Sequence, residues 1–183
     1  GINAYPGKGT KVPLYILGSS LFGAQLAAAF GLPYAFASHF APDALEHAVA
    51  VYRERFQPSA QLDRPHVIAA VNVVAADSTE EARTAYDSVL RSRVRALATR
   101  VTGERPIDDD ELSVLMDSPV GDQARHMLTY TAVGDAPAVA GYLRDFAVRA
   151  QADELMVTNA SPDLDARRRA LEILAGLTVG SPV

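Results

Sequence analysis

Short apolar runs alternate with longer helical patterns along this chain. Four runs read as strands, at residues 12–17 (VPLYIL), 34–38 (YAFAS), 66–75 (HVIAAVNVVA) and 154–158 (ELMVT). Short, continuously apolar runs are typical of strands that are buried in a parallel sheet. The alternation therefore predicts an α/β fold in which helices cover a parallel sheet.

The segments between these runs carry apolar residues at helical spacing. Helices are predicted at residues 21–30, 44–56, 79 to about 100, 110–116, 122–129, 136–150 and 164–177. Gly31 and Pro33 end the first helix, and Asp77-Ser78 before Glu80 and Glu81 forms a capping arrangement for the long third one. We expect the residues from about 102 to 135 to form a helical insertion before the last strand.

Small and polar residues follow the first two predicted strands. Right-handed crossovers place the carboxyl ends of parallel strands at one edge of the sheet, where ligands of such folds bind. Gly18-Ser19-Ser20 lies where a strand turns directly into a helix, and Ser38-His39-Phe40 lies at the end of the second strand. Free N–H groups at a helix N-terminus, with serine hydroxyls beside them, favour phosphate binding.

Composition narrows the class of protein. The chain has 183 residues, of which 49% are hydrophobic and 21% charged, with a net charge of −5. We expect one medium domain over residues 1–183, and no nucleic acid or membrane partner. The absence of cysteine excludes disulfides and thiolate metal sites, and no His and carboxylate spacing predicts another metal site. A cytoplasmic location is the expectation from the same features.

Several motifs together resemble one family over nearly the whole chain. They are ILGSSLFGAQLAAAFGLPYAFASHFAPD, YRERFQPS, VNVVAADSTEEA, YTAVGDAPAVAGYLRDF and DELMVTNA. The chain is similar to the C-terminal half of a luciferase-like flavin-dependent monooxygenase, nearest to the alkanal monooxygenase-like subgroup. The turn-rich start without methionine is also typical of the inside of a longer protein.

The resemblance implies a fold, an activity and a cofactor. It implies the C-terminal half of a (β/α)8 barrel, strands five to eight, that binds reduced FMN and uses dioxygen to oxygenate a small organic substrate. A deazaflavin such as F420 is an alternative cofactor. A flavin reductase, and a homodimer or pairing with the absent N-terminal half, are the implied partners. The flavin phosphate would lie at Gly18, Ser19 and Ser20, with Phe22 and Gly23 in the first helical turn.

Other interpretations of these residues stay open. Ser19 and Ser20 are also what a simple helix cap requires. His39, beside Ser38 and Phe40, is either a pocket residue that moves protons or a polar residue that satisfies the loop backbone. Asn72 points into a polar barrel interior or stabilises the barrel wall. No catalytic residue is identified, and a non-catalytic phosphate-binding half-barrel that self-associates is the alternative function.

Overall fold

The computed structural model describes residues 5–103, 106–159, 161 and 163–177. The outermost residues of the expected domain, 1–4 and 178–183, lie outside this part. The strands are β1 (Ile16–Gly18), β2 (Tyr34–Phe36), β3 (Val67–Ala75), β4 (Thr131–Gly134) and β5 (Glu154–Thr158). The helices are α1 (Leu21–Phe30), α2 (Leu45–Arg55, after a 3-10 turn at Pro42–Ala44), α3 (Thr79–Thr102), α4 (Asp109–Met116), α5 (Pro119–Met127), α6 (Ala136–Arg149) and α7 (Leu164–Ala175).

These five strands form one parallel sheet around β3. β1 pairs with β2, β2 pairs with the first residues of β3, and β5 pairs with Ile68 to Asn72 of β3. β4 pairs with the last residues of β3. Asn72 pairs with both β4 and β5, and Ile68 with both β2 and β5, so β2 and β4 share one edge of β3. The predicted α/β class with a parallel sheet is confirmed.

Two expectations about the strands need correction. The first strand begins at Ile16 rather than at Val12, and Leu17 within it is 75% exposed. It is an edge strand, since β1 pairs only with β2 among the described strands, and it is not buried on both faces. The expected insertion also contains a strand, β4, because residues 131–134 complete the ladder on the carboxyl half of β3. The insertion is therefore helical only in α4 and α5.

The main core lies between one face of the sheet and four helices. Val67, Ala69, Val71, Val73 and Ala75, the odd-numbered residues of β3, face this core. Side chains of α1, α2, α6 and α7 cover them. Alternation along a strand puts even-numbered residues on the other face. There Val74 packs with a second cluster, formed by α3, α4 and α5.

The chain turns sharply where α1 ends, and the turn requires glycine. Gly31 has φ +61° and ψ 43°, and its N–H caps the carbonyls of the last helical turn. A Cβ at this position would lie 2.4 Å from the Gln57 carbonyl oxygen. Conformation and space both exclude a side chain, which sets the direction in which the chain enters β2.

Candidate functional site

The β1–α1 turn has an N-cap serine that does not cap. Ser20 is extended, at φ −147° and ψ 164°, and its side chain makes no hydrogen bond to the helix. No acidic residue occupies the first turn of α1. The first intrahelical bond is the long one from the Ala24 N–H to the Ser20 carbonyl, at 3.4 Å. The N–H groups ahead of it thus have no capping side chain, which leaves them for a ligand.

The glycines of the turn bring helix and strand together. A Cβ on Gly23 would lie 3.3 Å from Tyr34 Cε2 and 3.6 Å from the Gly18 Cα. Gly18 has the reciprocal contacts, with 3.7 Å to Tyr34 Cε2. Gly23 therefore allows the first turn of α1 to approach the Tyr34 ring more closely than a side chain would, whereas the distances at Gly18 are those of ordinary van der Waals contact. Phe22, by contrast, is 72% exposed.

Ser38 does not offer its hydroxyl to a ligand. Its side chain is fully buried, and the hydroxyl donates to the carbonyl of Ala70 on β3. Ser38 therefore attaches the loop after β2 to the neighbouring strand. The main chain of that loop also contacts the β1–α1 turn, because the Ala37 N–H donates to the Gly18 carbonyl at 2.9 Å.

His39 and Phe40 form a ring pair on the same loop. Their ring centroids are 4.2 Å apart, with 44° between the planes. Burial lowers the pKa of His39, and the charge of Arg93 on α3 lowers it further, which favours the neutral form of the imidazole. Its Nδ1 atom is buried without a hydrogen-bond partner, while Phe40 is 60% exposed. A neutral imidazole beside an exposed ring can accept a proton or border a flat apolar ligand.

Asn72 is held by the strand beside it. The Thr158 hydroxyl donates to Asn72 Oδ1 at 2.7 Å, across the β3–β5 pair. Asn72 is 2% exposed, and its Nδ2 atom has no hydrogen-bond partner. The side-chain oxygen of Asn72 therefore helps to join β3 to β5, while its amide N–H₂ group has no hydrogen-bond partner.

The structure brings the two expected groups to neighbouring loops at the carboxyl edge of β1 and β2. Gly18, Ser19 and Ser20 follow one strand, and Ser38 and His39 follow the next. The sequence did not single out two further residues that act on the site: Tyr34, which lies under the turn, and Arg93, whose charge acts on His39. No local motif distinguishes either from an ordinary strand or helix residue, because each acts on residues that are distant along the chain.

Two kinds of site are absent from the part of the chain that the structure describes. Within it, no group of three or more His, Asp or Glu side chains is placed to hold a metal ion. No helix among these residues is both long and apolar enough to cross a membrane.

The comparison with known families matches residues 1–158 to the model described as luciferase-like monooxygenase. A protein of Escherichia coli K12 with the same description is 37% identical over 172 residues. The YddN protein of Bacillus subtilis 168 is 38% identical over 173 residues. Each alignment covers 94% of this chain and 51% of the relative, so the chain spans about half the length of the curated relatives it matches.

Solved structures show the same partial match. Apo-MsnO8 superimposes with a TM-score of 0.73 at 27% identity, over 95% of this chain and 53% of that one. The oxygenating constituent of 3,6-diketocamphane monooxygenase from Pseudomonas putida, solved with FMN, has a TM-score of 0.56 at 17% identity, and the match covers 92% of this chain and 49% of that one. The F420-dependent tetrahydromethanopterin reductase of Methanopyrus kandleri has a TM-score of 0.58 at 15% identity, and the match covers 90% of this chain and 49% of that one. The latter two show the shared fold.

Proposed function

The chain belongs to the luciferase-like monooxygenase family, and on that premise we propose that it forms the flavin-phosphate side of an FMN-dependent monooxygenase. The reaction would use reduced flavin and dioxygen to oxygenate a small organic substrate. The observation that supports this proposal is the turn between β1 and α1, whose helix N–H groups have no capping side chain and no acid beside them. We call it the open turn.

The turn fits a phosphate group. A phosphate needs hydrogen-bond donors and a positive local field, and the N-terminus of a helix supplies both. Ser20 keeps its hydroxyl free, and no carboxylate in the first turn of α1 repels an anion. Charge-assisted hydrogen bonds of this kind contribute about 1.5–3 kcal/mol each. Ser19 and Ser20 would donate to the phosphate together with the main-chain N–H groups of the helix start.

The loop after β2 would border the rest of the cofactor site. Reduced FMN, when bound, supplies the electrons with which dioxygen is activated. Phe40 would shield that chemistry from water with its exposed ring. His39, neutral and with an unpaired Nδ1, would accept or hold a proton near it.

The open edges of the sheet call for a partner. β1 and β5 each pair with one strand among the described elements, and Leu17 and Met156 on them are 75% and 52% exposed. Unpaired edges with apolar side chains are unfavourable in water. Since the relatives are about twice as long, we propose that the N-terminal half of a (β/α)8 barrel completes this sheet. The same exposed residues favour the alternative function, a non-catalytic half-barrel covered by a second copy.

A flavin titration tests the cofactor assignment. We expect FMN to bind at least about tenfold more tightly than riboflavin, which lacks the phosphate, as measured by quenching of flavin fluorescence. Ser20→Ala should reduce this preference. Ser78→Ala is the matched control, because it removes a serine at another helix start and should leave the preference unchanged. Equal affinity for the two flavins would contradict the phosphate site.

Two added measurements separate the alternatives. A titration with F420 under the same conditions compares the two cofactors, and tighter binding of F420 would replace FMN in the proposal. Light scattering of the flavin-bound chain tests the partner. Dioxygen oxidises free reduced FMN spontaneously, so a dimer that binds FMN but leaves the rate of oxygen uptake by reduced FMN unchanged would favour the self-associated half-barrel over the monooxygenase.

A further inference from the structure

Tyr34 connects the start of β2 to the β1–α1 turn. Its side chain is fully buried, and its hydroxyl donates to the Ser20 carbonyl at 2.9 Å. Its ring lies under the two glycines of the turn, within 3.3 to 3.7 Å of the Cβ positions at Gly23 and Gly18. The same residue thus supports the turn by packing and holds one of its carbonyl groups.

Two carbonyls of the turn accept hydrogen bonds from β2 and the residue that follows it. The Gly18 carbonyl accepts from the Ala37 N–H, and the Ser20 carbonyl accepts from the Tyr34 hydroxyl. In a trans peptide the carbonyl oxygen and the following N–H point in opposite directions. The Ser19 and Leu21 N–H groups are therefore turned away from β2. These are donors that the proposed phosphate site needs.

We propose that Tyr34 is a positioning residue for the phosphate site: its hydroxyl holds the Ser20–Leu21 peptide so that the Leu21 N–H faces the phosphate. The inference rests on the proposed function, and it adds a residue that does not itself touch the ligand. It makes the affinity for a phosphate depend on one buried hydroxyl.

The chemistry of Tyr34 suits a permanent donor. Burial raises its pKa to about 12. The hydroxyl consequently keeps its proton throughout the neutral range. The carbonyl also accepts the long bond from the Ala24 N–H, so the Tyr34 bond is the shorter of the two that orient it.

Tyr52, on α2, offers a matched control at the other end of α1. It is also fully buried, and its hydroxyl donates to the Leu32 carbonyl at 2.9 Å, just beyond the C-terminal end of α1. It further accepts from the His66 N–H at 3.0 Å. Tyr52 therefore anchors the far end of α1 with an equivalent bond, remote from the proposed phosphate.

The experiment compares FMN and riboflavin affinities of the wild type, Tyr34→Phe and Tyr52→Phe. Tyr34→Phe should weaken FMN binding about three- to tenfold and change riboflavin binding less than about twofold. Tyr52→Phe should leave the ratio of the two affinities unchanged. A general loss of stability would affect both flavins equally, so the ratio isolates positioning.

Each outcome has a defined consequence. A folded Tyr34→Phe that retains the wild-type ratio overturns the inference while the phosphate site stands. A wild type that binds both flavins equally overturns the phosphate site itself. If circular dichroism shows that Tyr34→Phe is unfolded, Gly23→Ala replaces it, because its new Cβ would lie 3.3 Å from Tyr34 Cε2, which is tighter than an ordinary contact and forces the ring that carries the hydroxyl to shift. A retained ratio in that variant overturns the inference equally.

Discussion

The β1–α1 and β3–α3 turns both have a serine at the N-cap position, but only one of the two serines caps its helix. Ser20 and Ser78 both occupy the N-cap position in extended conformations, at φ −147° and −135°. The Ser78 hydroxyl accepts from the Glu81 N–H, and the Glu81 side chain accepts from the Ser78 N–H. The Ser20 side chain forms no such bond. A serine at a helix start is thus not evidence of a cap or of a ligand site until its partners are known.

The first helical turns explain the difference. α3 begins with Thr79, Glu80 and Glu81, whose carboxylates complement the helix dipole and complete a capping box. α1 begins with Leu21, Phe22 and Gly23 and has no acid. The third residue is Glu81 in one turn and Gly23 in the other. One turn satisfies its own donors, and the other leaves them open.

Adding a negative charge to the open turn should produce the largest effect. Phe22→Glu places a carboxylate where α3 has Glu80, and Phe22 is exposed enough to accept it without a clash. We expect FMN affinity to fall about tenfold or more by repulsion of the phosphate. The free energy of unfolding should rise by about 0.3–1 kcal/mol, because the acid complements the helix dipole.

Phe22→Gln is the control for that substitution. It removes the ring and adds no charge, so a loss of FMN affinity equal to that of Phe22→Glu would mean that the ring, not the field of the helix, binds the cofactor. Fluorescence titration and urea denaturation of the two variants separate these causes.

Removing each serine should distinguish the two turns by stability. Ser78→Ala should lower the free energy of unfolding by about 1 kcal/mol, because it breaks the capping box. Ser20→Ala should lower it by less than about 0.5 kcal/mol, since no cap bond is lost. Urea denaturation gives both values, and equal losses would show that Ser20 caps α1 in solution.

Alkaline pH should weaken the open turn through Tyr34. Its folded pKa of about 12 lies above the ordinary value of 10.0. The contribution of Tyr34 to the free energy of unfolding is therefore complete below pH 10 and is lost as the pH rises towards 12. At pH 10.5 the loss is less than ~1 kcal/mol. Thermal unfolding of wild type and Tyr34→Phe between pH 8 and 10.5 measures it. If the melting temperatures of the two proteins fell equally with rising pH, Tyr34 would not be the cause, because the other buried tyrosines are present in both proteins.

The smallest expected effect on stability comes from the ion pair between Asp77, which precedes Ser78, and Arg169. Asp77 accepts from Arg169 on α7, with Nε at 3.0 Å and Nη2 at 2.5 Å, and this bond lowers the pKa of the carboxyl group. The contribution is present above the ordinary pKa of Asp and is lost as the pH falls through the lowered one. Both groups are exposed, so Asp77→Asn should shift the melting temperature only slightly, and 1 M salt should abolish the difference. A large, salt-resistant shift would contradict this.

Local signals determined much of the secondary structure in advance. The interval 21–30 was predicted as a helix and is α1, because good helix formers fill it and Gly31 ends it. β5 has its predicted bounds, and the capping box on α3 is confirmed. β4 was missed because four residues, TAVG, carry little periodic signal and become a strand only by pairing with β3. The exposure of β1 was missed because an apolar run does not say how many strands flank it.

The sequence by itself determined where the small and hydroxyl residues lie, and the resemblance to the family indicated their chemistry. The tertiary structure decided which of them have free polar groups. Ser38 turned out to be bonded to Ala70, whereas Ser20 has no cap bond and its carbonyl is held by Tyr34. These differences depend on contacts between residues 14 to 32 positions apart, and propensity and periodicity report only on near neighbours in the chain.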